Sequence, residues 1–228
     1  MSVLPYLDPL LSQYEDHRDD ARAVQMKKYM KGQFEFYGIG TPARKAMMTA
    51  HVKKSGLPDW DKMDELVRYL WRKEERECQF TAIDLLHRMK KKLDRDKIPL
   101  MEYMITTKSW WDTVDGTAGW LVGEIMKKNP DSIHPVTTRW MDSGNIWLQR
   151  SCLLFQLSYK HDTDLDLMFG FIGRLSGHKS FWINKAIGWV LREHSKTDPQ
   201  AVQEYVNAHP ELSGLSKREA LKVIHRSK

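Results

Sequence analysis

Along most of the chain, apolar residues recur at the three-to-four-residue interval of an amphipathic helix. Between Trp60 and Trp71 they fall at 60, 63, 66, 67, 70 and 71, a stripe along one helical face. The same period runs through 93–105, 114–126, 146–159 and 182–191. Between these stretches stand turn-forming sequences: Gly56-Leu57-Pro58-Asp59, Asn129-Pro130-Asp131, Asp142-Ser143-Gly144, Gly177-His178-Lys179 and Thr197-Asp198-Pro199. No alternating run reads as a strand, so the sequence predicts an all-α fold.

A repeat underlies the pattern. Trp111, Trp147 and Trp182 stand 36 and then 35 residues apart, each near the start of a mostly apolar helix that follows a shorter amphipathic one. The resulting helix pairs span about 60–91, 95–128, 131–160, 163–194 and 199–228. Such pairs cannot bury their apolar faces alone and stack on their neighbours. The expectation is a superhelical solenoid of HEAT-like repeats forming one domain over 1–228. Residues 1–57 supply an N-terminal helical cap and the first helices, and 58–228 the roughly five pairs.

Composition narrows the class. The chain has 228 residues, 29% charged and 41% hydrophobic, which suits a soluble globular protein. No apolar run approaches the roughly 20 residues that span a membrane. Met1 to Leu11 lacks the basic-then-apolar order of a signal peptide, so cytoplasmic residence is expected. Cys78 and Cys152 have no partners at metal-ligand spacing and read as buried apolar side chains, with no metal site implied. The net charge is +6, but residues 1–20 hold five acids and one base. The rest therefore carries 35 bases against 25 acids, a surplus of ten that suits a polyanionic partner.

The candidate chemistry lies on the second helices of the pairs. Trp111 and Asp115 are four residues apart, which places an indole and a carboxylate on one helical face. Asp115 sits among Val114, Gly116, Ala118, Gly119 and Trp120, where an unpaired carboxylate is costly. Either it is paired for structure, with Arg150 or Lys108, or it is held to stabilise positive charge or orient water on a ligand. Gly116, Gly119 and Gly123 thin the same helix, as close approach by a neighbouring helix or a ligand would require. Arg150 interrupts an apolar helix and needs an anion, either a carboxylate or a phosphate. Trp111 and Trp189 are core aromatics or ring faces for a sugar or cation; Trp60, Trp71, Trp120, Trp140, Trp147 and Trp182 read as core. In Thr41-Pro42-Ala43-Arg44-Lys45, Thr41 reads as an N-cap and Pro42 as the first helical residue. Capping suffices to explain that segment, although its N–H groups and Arg44 also suit a phosphate. Gly38-Ile39-Gly40 has no preceding strand and implies no nucleotide loop, and the basic clusters Lys90-Lys91-Lys92 and Lys217-Arg218 read as solvated faces.

The segments Thr107-Lys108-Ser109-Trp110-Trp111-Asp112-Thr113-Val114-Asp115, Asn145-Ile146-Trp147-Leu148-Gln149-Arg150 and Lys185-Ala186-Ile187-Gly188-Trp189-Val190-Leu191-Arg192-Glu193 together resemble the AlkD-like DNA alkylation-repair glycosylases. The likeness extends to Tyr29-Met30-Lys31, Phe36-Tyr37-Gly38-Ile39 and Leu215-Ser216-Lys217-Arg218-Glu219-Ala220. The resemblance implies a HEAT-like solenoid that grips duplex DNA in a basic concave groove. It implies hydrolysis of the N-glycosidic bond of purines alkylated at N3 or N7, with no cofactor and no strand cleavage. Asp115 would be the catalytic carboxylate, Trp111 and Trp189 would flank the deoxyribose, and Arg150 would fix the backbone near the lesion. Tyr29, Thr41, Arg44 and Lys108 are expected to contact DNA, as are Lys179, Lys185 and Arg192. The lesion is expected to remain stacked, and the protein to act as a monomer, associated with the nucleoid in a bacterium. Gly40 and Ser158 depart from the larger polar or basic residues of close relatives. The rival readings are a non-catalytic binder of distorted DNA and a HEAT-like protein scaffold.

Overall fold

A computed structural model describes residues 3–226, and within them the protein is all-α. A lone extended bridge joins Glu35 and Glu75. The helices are α1 (Leu4–Asp16), α2 (Asp20–Tyr29), α3 (Thr41–Ser55), α4 (Met63–Arg72), α5 (Arg76–Arg88), α6 (Ile98–Thr106) and α7 (Trp111–Gly116). A π-helical segment, Thr117–Val122, carries α7 directly into α8 (Gly123–Lys128). There follow α9 (Ile133–Asp142), α10 (Ile146–Leu154), α11 (Leu165–Leu175), α12 (Phe181–His194), α13 (Pro199–Ala208) and α14 (Gly214–Ala220). The five predicted pairs correspond to α4/α5, α6/α7–α8, α9/α10, α11/α12 and α13/α14. The chain forms two compact units, Met1–Lys92 and Leu93–Lys228, divided between the first pair and the second.

In the first unit, α4 buries Met63, Leu66, Val67, Leu70 and Trp71, the stripe its period predicts. The connection before α3 is held by a buried carboxylate. Glu77 of α5 accepts N–H bonds from Gly38 and Ile39 on one oxygen, each at 3.0 Å, and from Tyr37 on the other at 3.1 Å. Burial pushes the Glu77 carboxyl above its ordinary value, and these N–H donors pull against that shift. Gly38 has φ +86°, and a Cβ there would lie 2.1 Å from the Asp19 carbonyl oxygen, so both conformation and space require glycine. Thr41 is not the N-cap expected from the sequence. Gly40 takes that place, with no side-chain cap bond, and Thr41 is the first helical residue.

From α10 onward the helix starts are fixed by side-chain caps. Asn145 accepts from the N–H groups of Trp147 and Leu148, Ser180 from Trp182, and Asp198 from Ala201. The second helices pack in succession: α10 lies against α7 and the π segment, α12 against α10, and α14 against α12. Two glycines set the spacing. A Cβ on Gly123 would lie 2.4 Å from the Phe155 carbonyl oxygen, and one on Gly188 would lie 2.5 Å from Glu219 Cβ. Gly119 is not under the same demand, since its nearest neighbour would be 3.8 Å away. Trp71 and Trp140 are fully buried as expected, whereas Trp120, assigned to the core by sequence, is 47% exposed on the π segment. Trp60, Trp147 and Trp182 are half-buried. Cys78 and Cys152 are buried, and burial pushes the Cys78 thiol up to about 12 and that of Cys152 higher still.

Two stability predictions follow from these contacts. Alanine at Gly123 improves helix propensity by about 1 kcal/mol, but it drives a Cβ into a backbone oxygen that cannot step aside. Overpacking of this kind costs about 1–3 kcal/mol, so chemical denaturation should show net destabilisation of Gly123→Ala. Glu77→Gln turns one acceptor of the loop N–H groups into a donor. At about 1–3 kcal/mol for each buried group left unsatisfied, its unfolding midpoint should fall clearly below wild type.

Candidate functional site

The centre of the second unit is a bidentate ion pair. Arg150 of α10 donates through Nε to Asp115 Oδ1 at 2.7 Å and through Nη2 to Oδ2 at 2.8 Å. Its Nη1 donates to the main-chain oxygen of Trp182, at the start of α12, at 2.5 Å. One guanidinium thus joins three successive second helices. The side chain of Arg150 is 3% exposed and that of Asp115 is 13% exposed. Of the two anions the sequence allowed for Arg150, the structure supplies the carboxylate. Burial raises the Asp115 carboxyl above its ordinary value, and the Arg150 guanidinium acts in the opposite sense. Each carboxylate oxygen accepts one Arg150 bond and keeps a second acceptor position. Asp115 can therefore hold a water or face a developing cation without releasing Arg150.

Indoles gather beside the pair. Trp110 lies 5.9 Å from Trp147 and 5.0 Å from Trp182, ring centre to ring centre, with Trp147 and Trp182 5.9 Å apart. Phe181 stands edge-on to Trp182 at 5.1 Å and is 56% exposed. The sequence repeat marked Trp111, but the residue in this cluster is Trp110. It is the extended N-cap of α7, with φ −159° and ψ 159°, so the two adjacent indoles leave the backbone in different directions. The signal available in the sequence was the Trp-Trp pair itself, which does not say which ring turns inward. Trp110 Nε1 has no partner among the described residues. Trp111 opens α7 one turn before Asp115, and Trp189 lies on α12 one turn after Lys185; both are half-buried.

The expected DNA contacts are placed unevenly. Lys179 is exposed just before the α12 cap, whereas Lys108 is half-buried with a left-handed backbone, φ 50°. Lys185 is tied to Glu219 of α14 at 2.7 Å, and Arg192 pairs with the other oxygen of the same carboxylate. The Lys185 ammonium holds the Glu219 carboxyl below its ordinary range. Local spacing carries no sign of this clamp, because its acid lies 34 and 27 residues from the two bases. In the first unit, Tyr29 is 69% exposed and Thr41 is exposed at the start of α3. Arg44 corrects the sequence reading. It is 4% exposed, donates to Asp84 at 2.7 Å and so already has its anion inside the unit. No group of metal-binding side chains occurs among the described residues, and no helix there is long and apolar enough to cross a membrane.

Comparison with known proteins bears on family and fold. The sequence pattern of DNA alkylation repair enzymes matches residues 10–224. A solved structure of a predicted DNA alkylation repair enzyme from Enterococcus faecalis is 32% identical, with a TM-score of 0.82 over 90% of this chain and 96% of that one. No functionally curated protein matches the sequence. Matched over nearly its whole length in sequence and in fold, the chain belongs to the DNA alkylation repair enzyme family.

Proposed function

We propose that the protein is a monofunctional DNA glycosylase that hydrolyses the N-glycosidic bond of purines alkylated at N3 or N7, such as 3-methyladenine and 7-methylguanine, in duplex DNA. The observation that carries this reading is Asp115: a carboxylate that touches solvent, is fixed by a bidentate guanidinium and keeps acceptor capacity, with Trp111 one turn before it on the same helix. Alkylation at these nitrogens makes the base cationic. The C1′–N bond breaks with its electron pair going to the base, which leaves neutral and needs no proton. Positive charge then builds on the sugar as an oxocarbenium ion. Asp115 stabilises that charge and orients the water that attacks C1′, whose proton passes to the carboxylate or to solvent. In this reading Trp111 and Trp189 lie against the deoxyribose, where their attraction for a cation grows as the bond breaks. The base need not leave the stack, because nothing in the mechanism contacts it.

Arg150 takes a different part from the phosphate contact implied by resemblance. Buried and with its donors directed at Asp115 and Trp182, it positions the carboxylate and holds it ionised. The Glu219 clamp leaves less free charge on α12 than its sequence implies, so backbone binding falls more heavily on exposed residues such as Lys179.

Asp115→Asn should lower release of free 7-methylguanine from methylated duplex DNA by at least about a hundredfold, the scale of a catalytic acid–base or charge-stabilising group, while duplex binding persists. Removing one partner of a buried ion pair costs about 3–5 kcal/mol, so thermal unfolding must show that the variant is folded at the assay temperature. Full release by folded Asp115→Asn would reduce the pair to a structural one, whereas no release by wild type with duplex binding retained would favour a non-catalytic DNA binder. The pH profile gives a second check. Protonation of Asp115 removes the charge it supplies, so wild-type release should fall on the acid side at a pH above the 3.8 of an ordinary aspartate. In Arg150→Gln the lowering partner is gone while burial remains. The acid limb should then move to higher pH, with the salt dependence of DNA binding unchanged. A salt slope reduced by about one instead assigns Arg150 to a phosphate.

A further inference from the structure

The far end of α12 holds a second assembly of titratable groups. A cavity of about 370 Å³ lies between the turn after α10, α11 and the last turn of α12. Its polar lining includes His194, His161, Lys160, Lys196 and the carboxylate Glu193, and its apolar lining includes Leu157 and Met168. His194 is 8% exposed, and neither Nδ1 nor Nε2 has a hydrogen-bond partner among the described residues. Every imidazole carries at least one N–H, and a buried donor left unpaired is a standing cost. Trp182 and His194 are twelve positions apart on one helix, roughly 18 Å at 1.5 Å per residue. The cavity is therefore separate from the Asp115 site.

We propose that this cavity binds a phosphate monoester, its phosphate held by His194, His161, Lys160 and Lys196 and its organic group set against Leu157 and Met168. The donors favour phosphate over carboxylate, because two imidazoles and two ammonium groups offer more N–H bonds than two oxygens can use. The volume exceeds that of inorganic phosphate, and the apolar wall gives a sugar or a nucleoside somewhere to lie. His194 occupies the last turn of α12, where the helix dipole favours an imidazolium.

Charge in the empty cavity is balanced in a way that phosphate would change. Lys196 is held by Glu193 at 2.5 Å, Asp198 at the start of α13 acts on His194 in the sense that favours its protonation, and His161 acts in the opposite sense. Burial is the largest influence on His194 and keeps it neutral below its ordinary pKa. A bound phosphate supplies the missing counter-charge, so binding takes up a proton. Affinity then rises as pH falls, by up to about tenfold per unit for each proton bound, until the ligand's own second ionisation near about 6 reverses the trend.

Calorimetric titration with dAMP and with deoxyadenosine, between pH 8 and 6.5, tests the proposal. dAMP should bind at least about tenfold more tightly than deoxyadenosine, with affinity rising toward pH 6.5. His194→Phe should remove that pH dependence. Lys160→Ala, an exposed change that leaves the core intact, should weaken dAMP severalfold. Equal affinity for the two ligands, absence of dAMP binding at millimolar concentration, or unaltered binding by both variants overturns it. Competition identifies the source of the phosphate. Displacement of dAMP by a 5′-phosphorylated duplex, but not by its unphosphorylated form, assigns the site to DNA ends. If neither duplex displaces dAMP, the ligand is a free small molecule, and if both do, monoester selectivity is refuted.

Discussion

The Asp115–Arg150 pair is the contact on which the arrangement of the second unit depends. Three helices contribute to it: α7 brings the carboxylate, α10 the guanidinium, and α12 the carbonyl oxygen that takes the third bond. Removing two charges from water carries a desolvation penalty of several kcal/mol for each ion, repaid only when geometry is good and the remaining donors are satisfied. Here the geometry is bidentate and an extra acceptor serves Nη1, so the pair holds together at 3% and 13% exposure. A well-packed apolar replacement is often no less stable than such a pair. Stability alone therefore does not account for its presence.

Around the pair, close packing and charge pairing act together. Gly123 lets the carbonyl of Phe155 approach the start of α8, and Tyr159 donates to the Gly123 carbonyl at 2.6 Å, fixing the same contact from its other side. Gly188 lets α14 settle onto α12 closely enough for Glu219 to reach Lys185 and Arg192 together. The position of Trp189, next to Gly188 in sequence, is thereby set by a glycine, an acid and two bases. The same clamp moderates the positive charge of α12, so the surplus counted along the chain overstates the charge a polyanion would meet.

What the sequence made legible follows from the range of the interactions. Helix pairs and their boundaries depend on local periodicity, caps and turn residues, and they fall within a few residues of the observed α4/α5 to α13/α14. Asp115 and Arg150 stand out because charges interrupt apolar helices, whereas Trp111 and Trp189 stay open between core and ligand-facing rings until the family resemblance singles them out. Their pairing could not, since Arg150 is 35 residues from Asp115 and two partners were open to it. Arg44 looked like a surface cation at a helix start, and only the position of Asp84, forty residues on, makes it an interior one. Trp110 and Trp111 differ by a single peptide between extended and helical backbone, a distinction that composition does not carry.

The π segment at Thr117–Val122 has a consequence of its own. A π turn holds more residues than an α turn, so it acts as an insertion absorbed within an otherwise continuous helix. Each residue of an α-helix advances it by about a quarter turn or slightly more. The turn bearing Trp111 and Asp115 is therefore out of phase with the turn of α8 that buries Ile125 and Met126. The two ends of this helix answer to separate requirements: one must aim a carboxylate at Arg150, and the other must seat apolar side chains in the core. The segment between them makes the rotational settings independent, so that neither has to compromise the other.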